Sequence, residues 1–284
     1  RRFACFVNSG TDALRIGLLA MKEKYGWPGY GRVVLPAVTF VASFNAILQA
    51  GLVPYLVDVE TEHFGMREFS VVNMPIVAAM PVNLFGHVPP QTIHVPAITD
   101  SCETMFMPGC ADGEVSCFST YTAHLITTGV GGLVTTDDPE LARLVRSIAN
   151  HGRSGVYTGI DDALGNRETM DARFHFEREG YSSRGTELQA ALGLAELDEW
   201  RENIARRQAN ARQLLGGLTG LPLTLPTYPI TDSAWMMLPI LSEQRDALCL
   251  HLEKNGIKTR PLLPLTSQPY IRKWWKSMTW RDID

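Results

Sequence analysis

The chain has 284 residues, 45% of them hydrophobic and 20% charged, with a formal net charge of −4. This length allows one large domain or two smaller ones, and the composition excludes disorder, collagen repeats and low complexity. With 30 acidic against 26 basic residues, no basic field exists to hold a nucleic-acid backbone, and no polybasic run suggests a membrane surface.

In chain order, 3–7 reads as a short strand and Asn8-Ser9-Gly10-Thr11-Asp12 as a polar turn. Ala13, Leu14, Ile16, Leu18, Leu19 and Met21 then mark the apolar face of a helix, which Gly26 and Pro28-Gly29 break. Apolar runs at 32–36, 53–59, 76–82, 95–99, 115–119 and 133–136 read as buried strands, and 40–50 and 139–150 as helices. Such alternation builds βαβ units and a largely parallel sheet. Residues 151–180 read as loop-rich and charged. Thr186-Glu187-Leu188-Gln189 opens a long helix to about 200 that bends into 201–215. Beyond an extended linker at 221–226, a strand at 235–241, a helix at 243–254 and a strand at 257–260 are predicted, so the reading divides the chain into 1–204 and 205–284.

Five cysteines form no CxxC pair, which fits a reducing, cytoplasmic setting better than a disulfide framework. No apolar stretch reaches the roughly 20 residues that span a bilayer. The chain begins at Arg1, already in a strand, so its ends are expected to be incomplete. No P-loop, HExxH or GxSxG motif occurs, the histidines do not pair at metal spacing, and Cys102, Cys110 and Cys117 are irregularly spaced for a cluster, so no metal is expected.

In α/β proteins, ligands bind beyond the carboxyl ends of the strands. Gly10 and Thr11 lie between a strand and a helix, where free amides and the helix dipole suit a phosphate; a capped helix start is the plainer reading. Ser119 ends another strand and either adds a hydroxyl to that phosphate or serves a turn. Asp100 ends a third and needs a cationic or hydrogen-bonding partner, such as a protonated pyridine nitrogen or the amides of the next segment. Phe40 opens a helix and either stacks on a cofactor ring or joins the core.

Eight ordered motifs carry a family resemblance: Asn-Ser-Gly-Thr-Asp-Ala-Leu at 8–14, Leu-Pro-Ala-Val-Thr-Phe-Val-Ala-Ser at 35–43, Val-Asp-Val-Glu at 57–60, Thr-Asp-Ser-Cys-Glu at 99–103, Cys-Phe-Ser-Thr-Tyr-Thr-Ala-His at 117–124, Thr-Gly-Val-Gly-Gly-Leu-Val-Thr-Thr at 128–136, Asn-His-Gly-Arg at 150–153 and Gly-Tyr-Ser-Ser-Arg-Gly-Thr-Glu-Leu-Gln-Ala-Ala at 180–191. Together they resemble the DegT/StrS sugar aminotransferases, fold-type I pyridoxal-phosphate enzymes that act on nucleotide-linked keto sugars. The resemblance implies a three-layer α/β/α large domain with a mostly parallel seven-stranded sheet, a small C-terminal α+β domain and a homodimer. It places Gly10, Thr11 and Ser119 on the cofactor phosphate, Phe40 on the ring, Asp100 on the ring nitrogen and Glu103 beside the ring, in the place of a family Gln or His. Ser182 stands where the family usually has an Asn that reaches the partner subunit's phosphate. Arg184 and Arg260 are candidates for substrate phosphates or glutamate, or for surface ion pairs.

The chain departs from the aminotransferases at His124, where the family's Phe-Ser-x-x-x-x-Lys motif carries the lysine that tethers the cofactor. No lysine occurs between Lys24 and Lys254, so no local shift of register restores it. The family's sugar 3-dehydratase branch has the same replacement, in Ala-His-His-Ile-Thr-Met-Gly-Glu-Gly-Gly; here 123–132 reads Ala-His-Leu-Ile-Thr-Thr-Gly-Val-Gly-Gly, with Leu125 and Val130 departing from it. The resemblance thus implies an enzyme that uses untethered pyridoxal or pyridoxamine phosphate, with His124 moving protons, to dehydrate a nucleotide-linked 4-keto-6-deoxyhexose at carbon 3; glutamate would restore the amine. A transaminase working without the lysine and a noncatalytic cofactor- or nucleotide-sugar-binding homologue are the alternatives.

Overall fold

A computed structural model describes residues 1–69, 74–154, 174–263 and 265–277. Most of the charged loop expected at 151–180 lies outside the described residues.

The strands are β1 (Phe3–Val7), β2 (Arg32–Pro36), β3 (Val53–Val57), β4 (Ile76–Ala79), β5 (Ile98–Asp100), β6 (Val115–Ser119) and β7 (Gly132–Thr136). Their ladders run β3-β2-β4 and β5-β6-β7-β1. Parallel bridges Ala79↔Ala97 and Val82↔Asp100 join β4 to β5, which gives, among the described residues, one seven-stranded order, 3-2-4-5-6-7-1. β7 is antiparallel to both neighbours, and the other pairings are parallel. β4 and β5 are shorter than the apolar runs suggested because Pro81 and Pro96 have no amide to give to a ladder. The carbonyls of both prolines still accept, from Asp100 and Ala79.

Among the described residues seven helices follow in chain order: α1 (Gly10–Tyr25), α2 (Val41–Gln49), α3 (Pro139–Ala149), α4 (Glu187–Glu196), α5 (Trp200–Leu218), α6 (Arg245–Lys254) and α7 (Pro269–Ser277). Ser9 caps α1 by accepting from the Asp12 amide, and Gly26, at φ 62°, ends it in the left-handed conformation. Asp138 caps α3 through the amides of Glu140 and Leu141, with Pro139 in the first turn. Thr186 and Gln189 form a reciprocal capping box on α4. The long helix expected from 186 is two helices, α4 and α5, with a break between Glu196 and Trp200.

Strand alternation sends side chains to two cores. On one face, Val115, Cys117 and Val134 pack with Leu14, Leu18, Phe44, Leu141 and Ile148 of α1, α2 and α3. On the other, Phe118 and Leu133 pack with Leu125, Ile126 and, from α5, Ile204 and Trp200. This is the expected three-layer arrangement. Trp274 of α7 meets Phe44 edge to face at 5.0 Å, so that tryptophan packs within this chain. Phe44 is fully buried. Phe44→Ala is expected to cost about 3–5 kcal/mol, read as a lower urea midpoint at an unchanged slope; a midpoint within error of the parent would refute this packing.

The strands predicted at 235–241 and 257–260 do not form. Trp235 adopts φ 48°, and Ser233 Oγ accepts its amide. Pro239 has no amide, and only an isolated bridge, Thr224↔Leu241, survives. Ile257 is exposed, and no strand lies beside it to pair with among the described residues.

Candidate active site

At the entry of α1, Ser9 Oγ takes the Asp12 amide and the Ser9 carbonyl takes the Ala13 amide. The Gly10 and Thr11 amides are therefore the open donors of the first turn among the described residues. The backbone here approaches its neighbours too closely for side chains. A Cβ on Gly10 would stand 2.7 Å from Ser119 Cβ and 3.0 Å from Cys102 Sγ, and one on Gly132 would stand 2.4 Å from the Ser9 carbonyl oxygen. Ser119 is buried at the end of β6. Strand end, helix entry and hydroxyl thus meet in one glycine-walled corner with the donor set of a phosphate cradle.

Asp100, at the end of β5, is 5% exposed. Its Oδ2 accepts from Ser43 Oγ at 2.7 Å and its Oδ1 from the Cys102 amide at 3.2 Å. Ser43 Oγ lies 2.8 Å from Thr39 Oγ1. Phe40 sits one turn before Ser43 at the start of α2 and is 58% exposed, so it is not a core residue.

His124 rides on a pinned loop. Thr120 Oγ1 and Thr128 Oγ1 lie 2.6 Å apart across its base, and the buried Leu125 and Ile126 anchor the stretch after it. The His124 amide donates to the Tyr121 carbonyl, and its Nδ1 donates to the Cys102 carbonyl at 2.5 Å. That bond fixes the tautomer and leaves the lone pair on Nε2. Burial pushes the imidazole pKa below its ordinary value and nearby Arg260 adds to this; the Cys102 carbonyl and Asp100 act in the opposite direction.

Glu103 is buried and accepts from the Phe85 amide at 2.9 Å, with Arg260 Nη2 at 3.8 Å. Burial raises its carboxyl pKa and Asp100 adds to that, against the Phe85 amide and Arg260. Glu103 and Arg260, read separately in sequence, thus sit together. Ser182 and Arg184 form a second, exposed group: Arg184 Nη2 reaches Ser182 Oγ at 3.2 Å and His151 Nε2 at 3.5 Å. The bridge Val7↔Arg184 and the bond from the Asn8 amide to the Ser183 carbonyl hold this group beside the helix entry.

Sequence reasoning passed over Ser43, Thr39 and the Phe85 amide, weighed Cys102 only as a cluster ligand, and read His151 as a structural loop residue. For the first two a signal existed: Thr39 and Ser43 are four apart at a helix start, a spacing that stacks both hydroxyls on one face. The two lysines that precede His124 in sequence are remote from the site. Lys22 and Lys24 lie in the last turn of α1, about 20 Å along the axis from Gly10, and bind the Ala50 carbonyl and Asp138.

A parallel-centred seven-stranded sheet, a glycine-walled helix entry and a carboxylate at a strand end define a fold-type I vitamin B6-dependent class of enzyme. The chain belongs to the DegT/DnrJ/EryC1/StrS aminotransferase family, whose model matches residues 1–279. It is 31% identical to the dTDP-3-amino-3,4,6-trideoxy-alpha-D-glucose transaminase of Streptomyces venezuelae, over 91% of this chain and 68% of that protein. It is also 31% identical to the dTDP-4-dehydro-2,6-dideoxy-D-glucose 3-dehydratase of Saccharopolyspora spinosa, over 92% of this chain and 64% of that one. The chain therefore spans about two thirds of the length of these two relatives. In fold it is similar to the E. coli GDP-4-keto-6-deoxy-D-mannose-3-dehydratase solved with bound hydrated PLP, with a TM-score of 0.82 and 22% identity, covering 97% of this chain and 76% of that one.

Proposed function

We propose that the protein is a 3-dehydratase of nucleotide-linked 4-keto-6-deoxyhexoses that uses untethered pyridoxal or pyridoxamine phosphate, with His124 in place of the tethering lysine. The observation that carries this reading is the placement of His124: Nδ1 is committed to the Cys102 carbonyl and Nε2 is left basic, within a stretch that holds no lysine between Lys24 and Lys254.

The cofactor, when bound as the amine, supplies a group that condenses with a sugar ketone and a ring that accepts electrons. The residues present suit it. Gly10 and Thr11 amides and the Ser119 hydroxyl would hold its phosphate, and the exposed Phe40 ring would cover its face. Asp100 would hold a proton at the ring nitrogen. His124 Nε2 would take a proton from the carbon bearing the amine and, as imidazolium, would give it to the hydroxyl at sugar carbon 3, which would leave as water. Ser182 and Arg184 would meet substrate phosphate or a partner's cofactor site. Arg260 would receive a substrate anion or the carboxylate of glutamate, the donor that restores the amine.

The lowered imidazole pKa keeps Nε2 unprotonated at neutral pH. The rising limb of kcat/KM against pH is therefore expected on the acid side of an ordinary imidazole. In Arg260→Met, which removes a nearby positive charge, that limb should move to higher pH; a limb that stays put or moves down contradicts the assignment.

We infer a homodimer as well. Leu188, Leu192 and Leu194 of α4 and the adjacent Leu197 are 81%, 56%, 68% and 40% exposed, and α4 buries no residue against its own chain. Large apolar side chains exposed on both sides of a helix need a partner surface. Leu188→Glu with Leu192→Glu is expected to halve the sedimenting mass; an unchanged mass places the interface elsewhere. The five free cysteines suit a reducing compartment such as the cytoplasm.

The similarity to a sugar transaminase supports a second reading, amine transfer without the lysine. Incubation with a nucleotide-linked 4-keto-6-deoxyhexose, the amine cofactor and glutamate separates the two: a 3-deoxy product supports dehydration, an aminosugar supports transfer, and cofactor retention with neither product supports a binding protein.

A further inference from the structure

We propose that Ser43, backed by Thr39, is a positioning residue that sets the charge and direction of the Asp100 carboxylate toward the cofactor ring nitrogen. The inference deepens the proposed function and rests on its assignment of Asp100 to that nitrogen.

Both carboxylate oxygens of Asp100 are held by donors. Ser43 Oγ donates to Oδ2 at 2.7 Å, and the Cys102 amide donates to Oδ1 at 3.2 Å. Ser43 is fully buried and Thr39 is 1% exposed, so water does not replace either hydroxyl. Their oxygens are 2.8 Å apart; with the Ser43 hydrogen on Asp100, Thr39 is left as the donor to Ser43 Oγ. The chain Thr39–Ser43–Asp100 therefore points its donors one way, toward the carboxylate, and each bond polarises the next. It continues through a single residue, since the Cys102 carbonyl accepts from His124 Nδ1 at 2.5 Å. One polar path thus links the α2 hydroxyls, the ring-nitrogen partner and the proton-moving imidazole.

Two donors on an anion hold its negative charge in place, so the proton it shares with a pyridine stays on the nitrogen. Removing the Ser43 donor leaves the carboxylate short of one bond and lets it draw that proton toward itself. The other titratable groups that feel Asp100 are the thiols of Cys102 and Cys117, the carboxyl of Glu103 and the imidazole of His124. All of these remain in a Ser43 variant.

The test is a pH titration of the absorption spectrum of protein loaded with pyridoxal phosphate, for the parent, Ser43→Ala, Ser43→Thr, Thr39→Val and Asp100→Asn. Thermal unfolding of each cofactor-free variant serves as a folding control. In Ser43→Ala the ring-nitrogen midpoint is expected to fall by about one pH unit, a tenfold change. Ser43→Thr should restore most of it, and Thr39→Val should give a smaller shift of the same sign. A Ser43→Ala titration that overlays the parent while Asp100→Asn moves overturns the inference and leaves the proposed function standing. Thr39→Val decides in the same way if Ser43→Ala does not fold. An Asp100→Asn titration that overlays the parent overturns the assignment of Asp100, and the inference falls with it.

Discussion

His124→Asn is expected to lower dehydration of a nucleotide-linked 4-keto-6-deoxyhexose by about 100- to 10,000-fold, the usual contribution of a positioned acid–base group. Cofactor affinity should change little, because the phosphate donors Gly10, Thr11 and Ser119 and the carboxylate of Asp100 are all left in place. Asparagine can still donate to the Cys102 carbonyl, so the loop keeps its anchor while the basic nitrogen is gone. Single-turnover product formation and equilibrium cofactor binding separate the two effects. Full turnover in this variant rejects the mechanism. His124→Lys supplies the opposite control: an amine at this position should make the bound aldehyde form of the cofactor reducible by borohydride onto the chain, whereas the parent stays unlabelled.

Gly10→Ala is expected to weaken cofactor binding by about 100-fold or more. A Cβ there would lie 2.7 Å from Ser119 Cβ, and neither atom is the end of a flexible chain. The helix entry must then move off β6, separating the Gly10 and Thr11 amides from the Ser119 hydroxyl. Two charge-assisted hydrogen bonds at about 1.5 kcal/mol each amount to about 3 kcal/mol, or roughly 100-fold in a dissociation constant. The matched control is Gly216→Ala in α5, where a Cβ meets nothing within 4 Å and an added methyl favours the helix by about 1 kcal/mol. Equal cofactor affinity in Gly10→Ala and the parent would show that this corner holds no phosphate.

Much of the sheet's layout was legible because periodicity is local. β1, β2 and β6 match their apolar runs, and the caps on α3 and α4 follow from Asp138-Pro139 and from Thr186 with Gln189. The strands at 235–241 and 257–260 were misread because an apolar run does not reveal whether a partner strand exists. At Trp235 a left-handed turn, held by Ser233 and by bonds to the Phe85 and Gly86 carbonyls, wins over strand propensity.

By itself the sequence determined which chemistry is absent and which groups are on hand. It removes lysine from the stretch where a tether would stand, puts histidine there, and sets glycine and small polar residues at the helix entry and strand ends. Only the tertiary structure decided how these groups meet. It joins Ser43 to Asp100 across 57 positions of chain, turns His124 by a carbonyl 22 positions away, and sets Arg260 against Glu103. Such pairings depend on strand order and on the burial that makes an unpartnered polar atom costly, and neither is encoded in any short stretch of residues.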